Sequence, residues 1–243
     1  MKNQSLIFGH RGAKGTHPEN TIISFQEAER TGAHGIEFDV HLSKDGEIVI
    51  IHDETLSRTT NGRGLVVEHT LEELKQLDAG SHFNAAFQGE RIPTLREVLT
   101  WLGGNKLLIN IELKNDRIRY PELEQKVVDL VREFGLERRV IFSSFNHSSV
   151  AMLADLAPDI ERAILYHHHL KDACGVARLH HASGLHPNFK LLTKEFVEEA
   201  KSQGFVLRPY TINEEKDIKR MISYGVDAII TDWPSKALSL LGE

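Results

Sequence analysis

The stretch Gly35-Ile36-Glu37-Phe38-Asp39-Val40, followed past Asp45-Gly46 by Ile48-Val49-Ile50-Ile51-His52, decides the fold. Both runs have the apolar, β-branched character of strands, but far fewer residues separate them than the dozen or more that a parallel crossover needs. They must therefore pair antiparallel. Asp-Gly is a strong hairpin signal, and a two-residue loop there sets Lys44 opposite Glu47 and, carried along the ladder, Asp39 opposite His52. Directly opposed side chains share a face, so this register hands His52 back to the strand end beside Asp39.

Working outward, further β-like runs occur at Leu6–Gly9, Lys106–Leu113, Val140–Phe145, Glu161–Tyr166, Gly184–Pro187, Phe205–Thr211 and Asp227–Thr231. Helical spacing follows most of them: Ile22, Phe25 and Ala28; Leu123, Val127, Leu130, Val131 and Phe134; Val150, Leu153 and Ala154; Phe196, Val197 and Ala200; Ile218, Met221 and Ile222. Counting Gly35–Asp39 and leaving the hairpin arm aside, eight strands alternate with helices within 243 residues. That pattern predicts a (β/α)8 TIM barrel as a single domain over residues 1–243, with a doubly wound sheet as the alternative. Residues of about 53–93 break the alternation with a Thr-Thr-Asn-Gly cluster, a short helical pattern at Leu71, Leu74 and Leu77, and a loop to Gly89, and they read as an insertion after the second strand. Thr94 with Glu97 three residues on then forms a capping box ahead of Leu95, Val98, Leu99 and Leu102.

Composition narrows the function. Hydrophobic residues at 40% and charged residues at 26% suit a globular protein, and no apolar run approaches the roughly 18 residues of a spanning helix. The first residues lack the apolar core of a signal peptide, and one cysteine, Cys174, allows no internal disulfide, so the expected location is cytoplasmic. A net charge of −6 without any basic, aromatic-interleaved cluster argues against nucleic-acid binding, and nothing marks a stable membrane association.

The chemistry should lie at the C-terminal ends of the strands. There the sequence places His10 and Arg11, Glu37 and Asp39, Glu112 and Lys114, with His52 added by the hairpin. Glu37 and Asp39, two apart on a strand, share a face, and Glu112 in Leu-Leu-Ile-Asn-Ile-Glu-Leu-Lys occupies the equivalent position. Three convergent carboxylates repel one another unless a cation sits among them, and oxygen ligands favour Mg²⁺, Ca²⁺ or Mn²⁺ over Zn²⁺. His10 and His52 are the natural acid and base. Arg11, capable of a two-pronged contact, and Lys114, a point charge, complete a pocket for one phosphate. The runs His167-His168-His169 and His180-His181 lack partners at ligand spacing and read as solvated loop outside the site.

In order along the chain, His10-Arg11-Gly12, Pro18-Glu19-Asn20-Thr21, Glu37-x-Asp39-Val40, Lys44-Asp45-Gly46, His52-Asp53, Leu56-x-Arg58-Thr59, Glu112-Leu113-Lys114, Gly225-Val226-Asp227 and Thr231-Asp232-x-Pro234 closely resemble the glycerophosphodiester phosphodiesterase family. The resemblance implies a (β/α)8 barrel with an insertion after the second strand. It also implies metal-dependent hydrolysis of glycerophosphodiesters to sn-glycerol 3-phosphate and an alcohol. By the same resemblance Glu37, Asp39 and Glu112 are metal ligands, His10 and His52 are catalytic, Arg11 and Lys114 contact phosphate, and Asn20 supports the metal or the substrate. Tyr210 stands where many members carry Trp. Attack by water and attack by the substrate's own 2-hydroxyl through a cyclic phosphate both fit these residues. The alternatives are the same chemistry on lysophospholipids, and a phosphate-binding barrel without turnover.

Overall fold

The computed structural model describes residues 5–241. In chain order its elements are β1 (Leu6–His10), α1 (Ile22–Arg30), β2 (Gly35–Leu42), β3 (Ile48–Ile50), α2 (Leu71–Gln76), α3 (Leu95–Leu102), β4 (Leu108–Leu113), α4 (Leu123–Glu133), β5 (Val140–Ser144), α5 (His147–Leu156), β6 (Glu161–Tyr166), α6 (Ala173–Leu179), β7 (Gly184–Pro187), α7 (Lys194–Ser202), β8 (Val206–Leu207), α8 (Glu215–Tyr224), β9 (Ala228–Thr231) and α9 (Pro234–Ser239). Eight of the strands run parallel in the order β8-β7-β6-β5-β4-β2-β1-β9. The ring closes between β8 and β9 through Asp227 N to Leu207 O (3.0 Å), Ile230 N to Pro209 O (3.1 Å) and Ile212 N to Ile230 O (3.0 Å). The expected (β/α)8 barrel is thus present. The strand expected over Phe205–Thr211 is regular only at Val206–Leu207: bonds to β7 continue through Arg208 N to Leu185 O (3.0 Å) and Tyr210 N to Pro187 O (3.1 Å), but Pro209 has no N–H to give to β9.

Strand alternation sorts the side chains into two layers. Ile36, Phe38 and Val40 of β2 point outward and join Phe25 of α1, Leu99 of α3 and Val127 of α4 in one core. Phe8 of β1 meets Ile141 of β5, three places round the sheet, together with Ala228 and Ile230, a contact available only through the barrel interior. The same period aims His10, Glu37, Asp39 and Glu112 inward at the C-terminal end.

The hairpin departs from the expected register by one residue. Val40 pairs with Ile50, His41 with Val49 and Leu42 with Ile48, and Ile51 N donates to Asp39 O (3.2 Å), so Ile51 rather than His52 lies opposite Asp39. The turn is responsible. Ser43 N donates to Glu47 O and Gly46 takes φ 82°, making a three-residue loop that ends in a left-handed glycine. Hydrophobicity could not have set this register, because both faces of β3 are apolar: Ile48 and Ile50 join the barrel core, while Val49 and Ile51 join a separate core with Leu56, Val66 and Leu74 of the inserted segment.

α3 begins as expected: Thr94 accepts from Glu97 N (3.1 Å) and Glu97 accepts from Thr94 N (2.7 Å). Thr94→Ala should cost about 1 kcal/mol, read as a lowered urea midpoint at unchanged m-value.

Candidate active site

Glu37 and Asp39 on β2 and Glu112 on β4 meet at the barrel mouth, each buried, with carboxylate oxygens all within 4.8 Å of one another. Burial and the neighbouring Asp39 and Glu112 push Glu37 well above the usual carboxylate range, and burial and Asp39 push Glu112 up against the pull of Lys114. Burial acts on Asp39 in the same direction, but His52, Arg11, Lys114 and a hydrogen bond from Asn20 Nδ2 (2.9 Å) outweigh it and hold its carboxyl low. Asp39 Oδ1 and Asn20 Oδ1 are buried acceptors with no hydrogen-bond partner among the described residues. Repelling carboxylates and two orphaned acceptors form a donor set that fits a divalent cation.

A histidine stands on each side. His10 ends β1, where its Nδ1 donates to Asp232 Oδ1 (2.6 Å), and Asn213 Nδ2 holds the other oxygen of Asp232 (2.8 Å). Its Nε2 lies 3.9 Å from Glu37. Burial and then the charge of Arg11 lower the His10 pKa to about 4 in spite of Asp232, so the ring is neutral near pH 7 and able to accept a proton. His52 follows β3, with its Nδ1 donating to Asp53 Oδ1 (2.6 Å) and its Nε2 3.4 Å from Lys114 Nζ. It reaches the site despite the shifted register because the chain leaves the ladder after Ile51, and buried His41 fixes the turn-off by donating from Nε2 to His52 O (3.1 Å).

Cations line the remaining wall. Lys114 Nζ donates to Glu112 Oε1 (2.9 Å). Arg11 takes φ 51° and Asn20 φ 58°, a left-handed conformation that Asn tolerates and Arg does not favour, and Asn20 N donates to Arg11 O (3.0 Å) to fasten the two together. Arg11 N donates to Glu37 (3.0 Å), its Nη1 to Glu19 (2.6 Å), and its Nε lies 3.4 Å from Asp39. Glu19 and Asp39 thus hold one edge of the guanidinium, while Nη2 and the second N–H of Nη1 make no hydrogen bond to either carboxylate.

From His52 the site opens into a cleft of about 480 Å³ lined by Asp53, Glu54, Lys114, Asp116, Phe145 and His167 among others. This corrects one expectation. His167 is exposed, yet it tilts onto Phe145 (ring centroids 5.3 Å apart) and lines the approach to His52, because β6 ends at Tyr166 and its inward alternation continues to 167.

Residues 10–236 match the model of the Glycerophosphoryl diester phosphodiesterase family. The chain belongs to this family. A glycerophosphodiester phosphodiesterase of Caldanaerobacter subterraneus is 45% identical over 238 residues, covering 98% of this chain and 98% of the relative. One from Bacillus altitudinis is 45% identical over 240 residues, with 98% of each chain covered. Among solved structures, an Oleispira antarctica phosphodiesterase in complex with the product sn-glycerol-3-phosphate superposes with a TM-score of 0.87 at 33% identity, covering 99% of this chain and 98% of that one.

In this member of the glycerophosphodiester phosphodiesterase family, four further polar residues of the site carry no local signal of their role. Asp232, Asp53, Glu19 and Arg58 lie in the quoted motifs, but their work is to hold other side chains, and partnership across the fold leaves no local spacing signal. Hydrogen bonds from Arg58 hold Asp53 well below the usual carboxylate range, and Arg58 and Arg11 overcome burial to hold Glu19 low. A depressed folded-state pKa gives stability that is complete above the unfolded values of about 4.3 for Glu and 3.9 for Asp and is lost as pH falls. Melting temperatures followed from about pH 5 to about pH 2 should fall less steeply in Glu19→Gln than in the parent.

Among the described residues no helix is long and apolar enough to cross a membrane.

Proposed function

We propose that this chain hydrolyses glycerophosphodiesters to sn-glycerol 3-phosphate and an alcohol, with His10 and His52 exchanging protons on either side of a cation site formed by Glu37, Asp39 and Glu112. The observation that carries the reading is the symmetry of the site: three buried carboxylates flanked by two histidines, each oriented by its own aspartate. The bound divalent cation, for which an all-oxygen set suits Mg²⁺, Ca²⁺ or Mn²⁺, supplies fixed positive charge for the phosphoryl oxygens.

Neutral His10, with Nδ1–H committed to Asp232, presents Nε2 to take the proton of the attacking hydroxyl. His52, its Nδ1–H fixed on Asp53, delivers a proton from Nε2 to the departing alkoxide. Arg11 contributes its free guanidinium N–H groups to the phosphate, Lys114 neutralises charge as it develops beside Glu112, and Asn20 orients Asp39.

Protein stripped with chelator and assayed on glycerophosphocholine should be inactive and regain activity with one of these three ions, releasing sn-glycerol 3-phosphate. No turnover with any of them would overturn the reading. Appearance of a cyclic glycerol phosphate in the same assay identifies the 2-hydroxyl as nucleophile, and turnover of an analogue lacking that hydroxyl, which cannot cyclise, identifies water.

A further inference from the structure

Arg58 comes from the inserted segment and is half-exposed, yet its guanidinium is engaged on two sides. Toward Asp53 it donates from Nε to Oδ2 (2.6 Å) and from Nη2 to Oδ1 (2.9 Å). Toward Glu19 it donates from Nη1 to Oε2 (2.8 Å) and from Nη2 to Oε1 (2.8 Å). Neither carboxylate stops there. Asp53 Oδ1 also accepts His52 Nδ1 (2.6 Å), and Glu19 Oε1 also accepts Arg11 Nη1 (2.6 Å). The chain of contacts His52–Asp53–Arg58–Glu19–Arg11 is thus unbroken, and its two ends are the proton donor for the leaving group and the phosphate-binding arginine.

An exposed ion pair contributes at most about 1 kcal/mol to stability, so stability alone is a poor account of a side chain held at four points. Only a guanidinium can fork onto two carboxylates at once; an ammonium is a point charge. Moreover, the carboxylates it holds come from different parts of the chain, Glu19 from the loop between β1 and α1 and Asp53 from the start of the insertion, and Arg58 fixes the distance between them.

We propose that Arg58 is a positioning residue that sets the orientation of His52 and of Arg11 together, so that the inserted segment aligns the two catalytic sides. The inference rests on the roles given to His52 and Arg11 above. Without Arg58, Asp53 can turn off His52 Nδ1, which weakens protonation of the departing alkoxide, and Glu19 keeps Arg11 as its single strong partner, which shifts the phosphate contact. A displacement of about 1 Å at such groups can cost about 10²-fold.

The two branches are separable with two substrates. Glycerophosphocholine releases choline as an alkoxide that needs a proton on departure, whereas the p-nitrophenyl ester of glycerol phosphate releases a phenolate that does not. Asp53→Asn should lower kcat on glycerophosphocholine about ten- to hundredfold and leave kcat on the nitrophenyl ester near the parent value. Glu19→Gln should raise KM about tenfold on both. Arg58→Gln should do both at once. A loss of kcat by the same factor on both substrates, as a general structural defect would give, overturns the inference, and so does an Arg58→Gln protein with unchanged constants.

If Arg58→Gln fails to fold, Arg58→Lys keeps the charge without the fork. It should melt near the parent temperature and still show the selective loss on glycerophosphocholine; equal kcat losses on the two esters would again overturn the inference. His52→Ala, measured alongside, separates the two failures. If it discriminates between the substrates and the Arg58 variants do not, Arg58 is not the positioning group. If His52→Ala itself treats them alike, the reading of His52 falls and this inference with it.

Discussion

Glu37→Gln is expected to lower kcat/KM on glycerophosphocholine by about three orders of magnitude or more, while melting at a higher temperature than the parent in chelator. Both effects come from the same contacts. Without a cation, Glu37 is buried against Asp39 and Glu112 and its charged form is disfavoured by burial and by both neighbours. A neutral amide of the same shape relieves that repulsion and still accepts from Arg11 N. With one carboxylate gone, the site loses a charged ligand and much of its affinity for a divalent ion, and preorganised positive charge commonly supplies several kcal/mol of transition-state stabilisation. Calorimetry in chelator and in excess Mg²⁺, beside steady-state kinetics, checks both halves. An active Glu37→Gln protein would remove Glu37 from the site, and a lower melting temperature in chelator would show that the cluster is not repulsive.

The second large effect is expected at His52. His52→Ala should lose about 10² to 10⁴ in kcat on glycerophosphocholine, the usual range for positioned proton transfer, with an unchanged circular dichroism spectrum. The fold should tolerate the change because the His52 side chain is 30% exposed and its neighbours are anchored independently, Asp53 by Arg58 and the local backbone by His41. Loss of a carboxylate from the cation site should cost at least as much as loss of this histidine, because fixed charge acts throughout the reaction and the proton donor acts at departure of the alcohol. Turnover by His52→Ala at the parent rate would refute its assignment.

The barrel was legible because its strands repeat: alternating apolar runs and 3.6-residue spacing recur often enough that errors in single elements do not alter the total. The expected strand over Phe205–Thr211 is regular only at Val206–Leu207, although backbone bonds to β7 continue through Arg208 N and Tyr210 N, because Pro209 has no N–H to give to β9. Helices α6 and α9 escape the sequence reading because their buried residues are small or cyclic, Ala173, Cys174 and Ala177 in one and Pro234 and Ala237 in the other, whereas the equally short α2 shows its leucines. The three carboxylates and His10 are marked by strand-end position, whereas His52 is drawn in from sequence by a hairpin register that is off by one and reaches the mouth because the chain leaves the ladder after Ile51. The hairpin register could not be read from sequence, since a three-residue and a two-residue loop both use Asp45-Gly46 and both faces of β3 are apolar. Side chains that act by holding others, such as Asp232 on His10 and Glu19 on Arg11, have partners set by tertiary geometry and were assigned no role from sequence. His167 is hidden for a related reason: a run of three histidines reads as one solvated unit, and the alternation that turns the first of them inward shows only once the end of β6 is fixed.

Most neighbouring strands of the ring share a continuous ladder, whereas β8 and β9 are joined by isolated backbone bonds, supplemented by Leu207 N donating to the Asp227 side chain (2.8 Å). Protection against deuterium uptake follows local hydrogen bonding and packing, so the seam amides of Leu207, Ile212, Asp227 and Ile230 should exchange ahead of those in β2 and β4. The same seam is a natural place to recut the polypeptide: a circular permutant whose new ends fall between β8 and β9 leaves every uninterrupted ladder, and the whole carboxylate cluster, on one side of the cut.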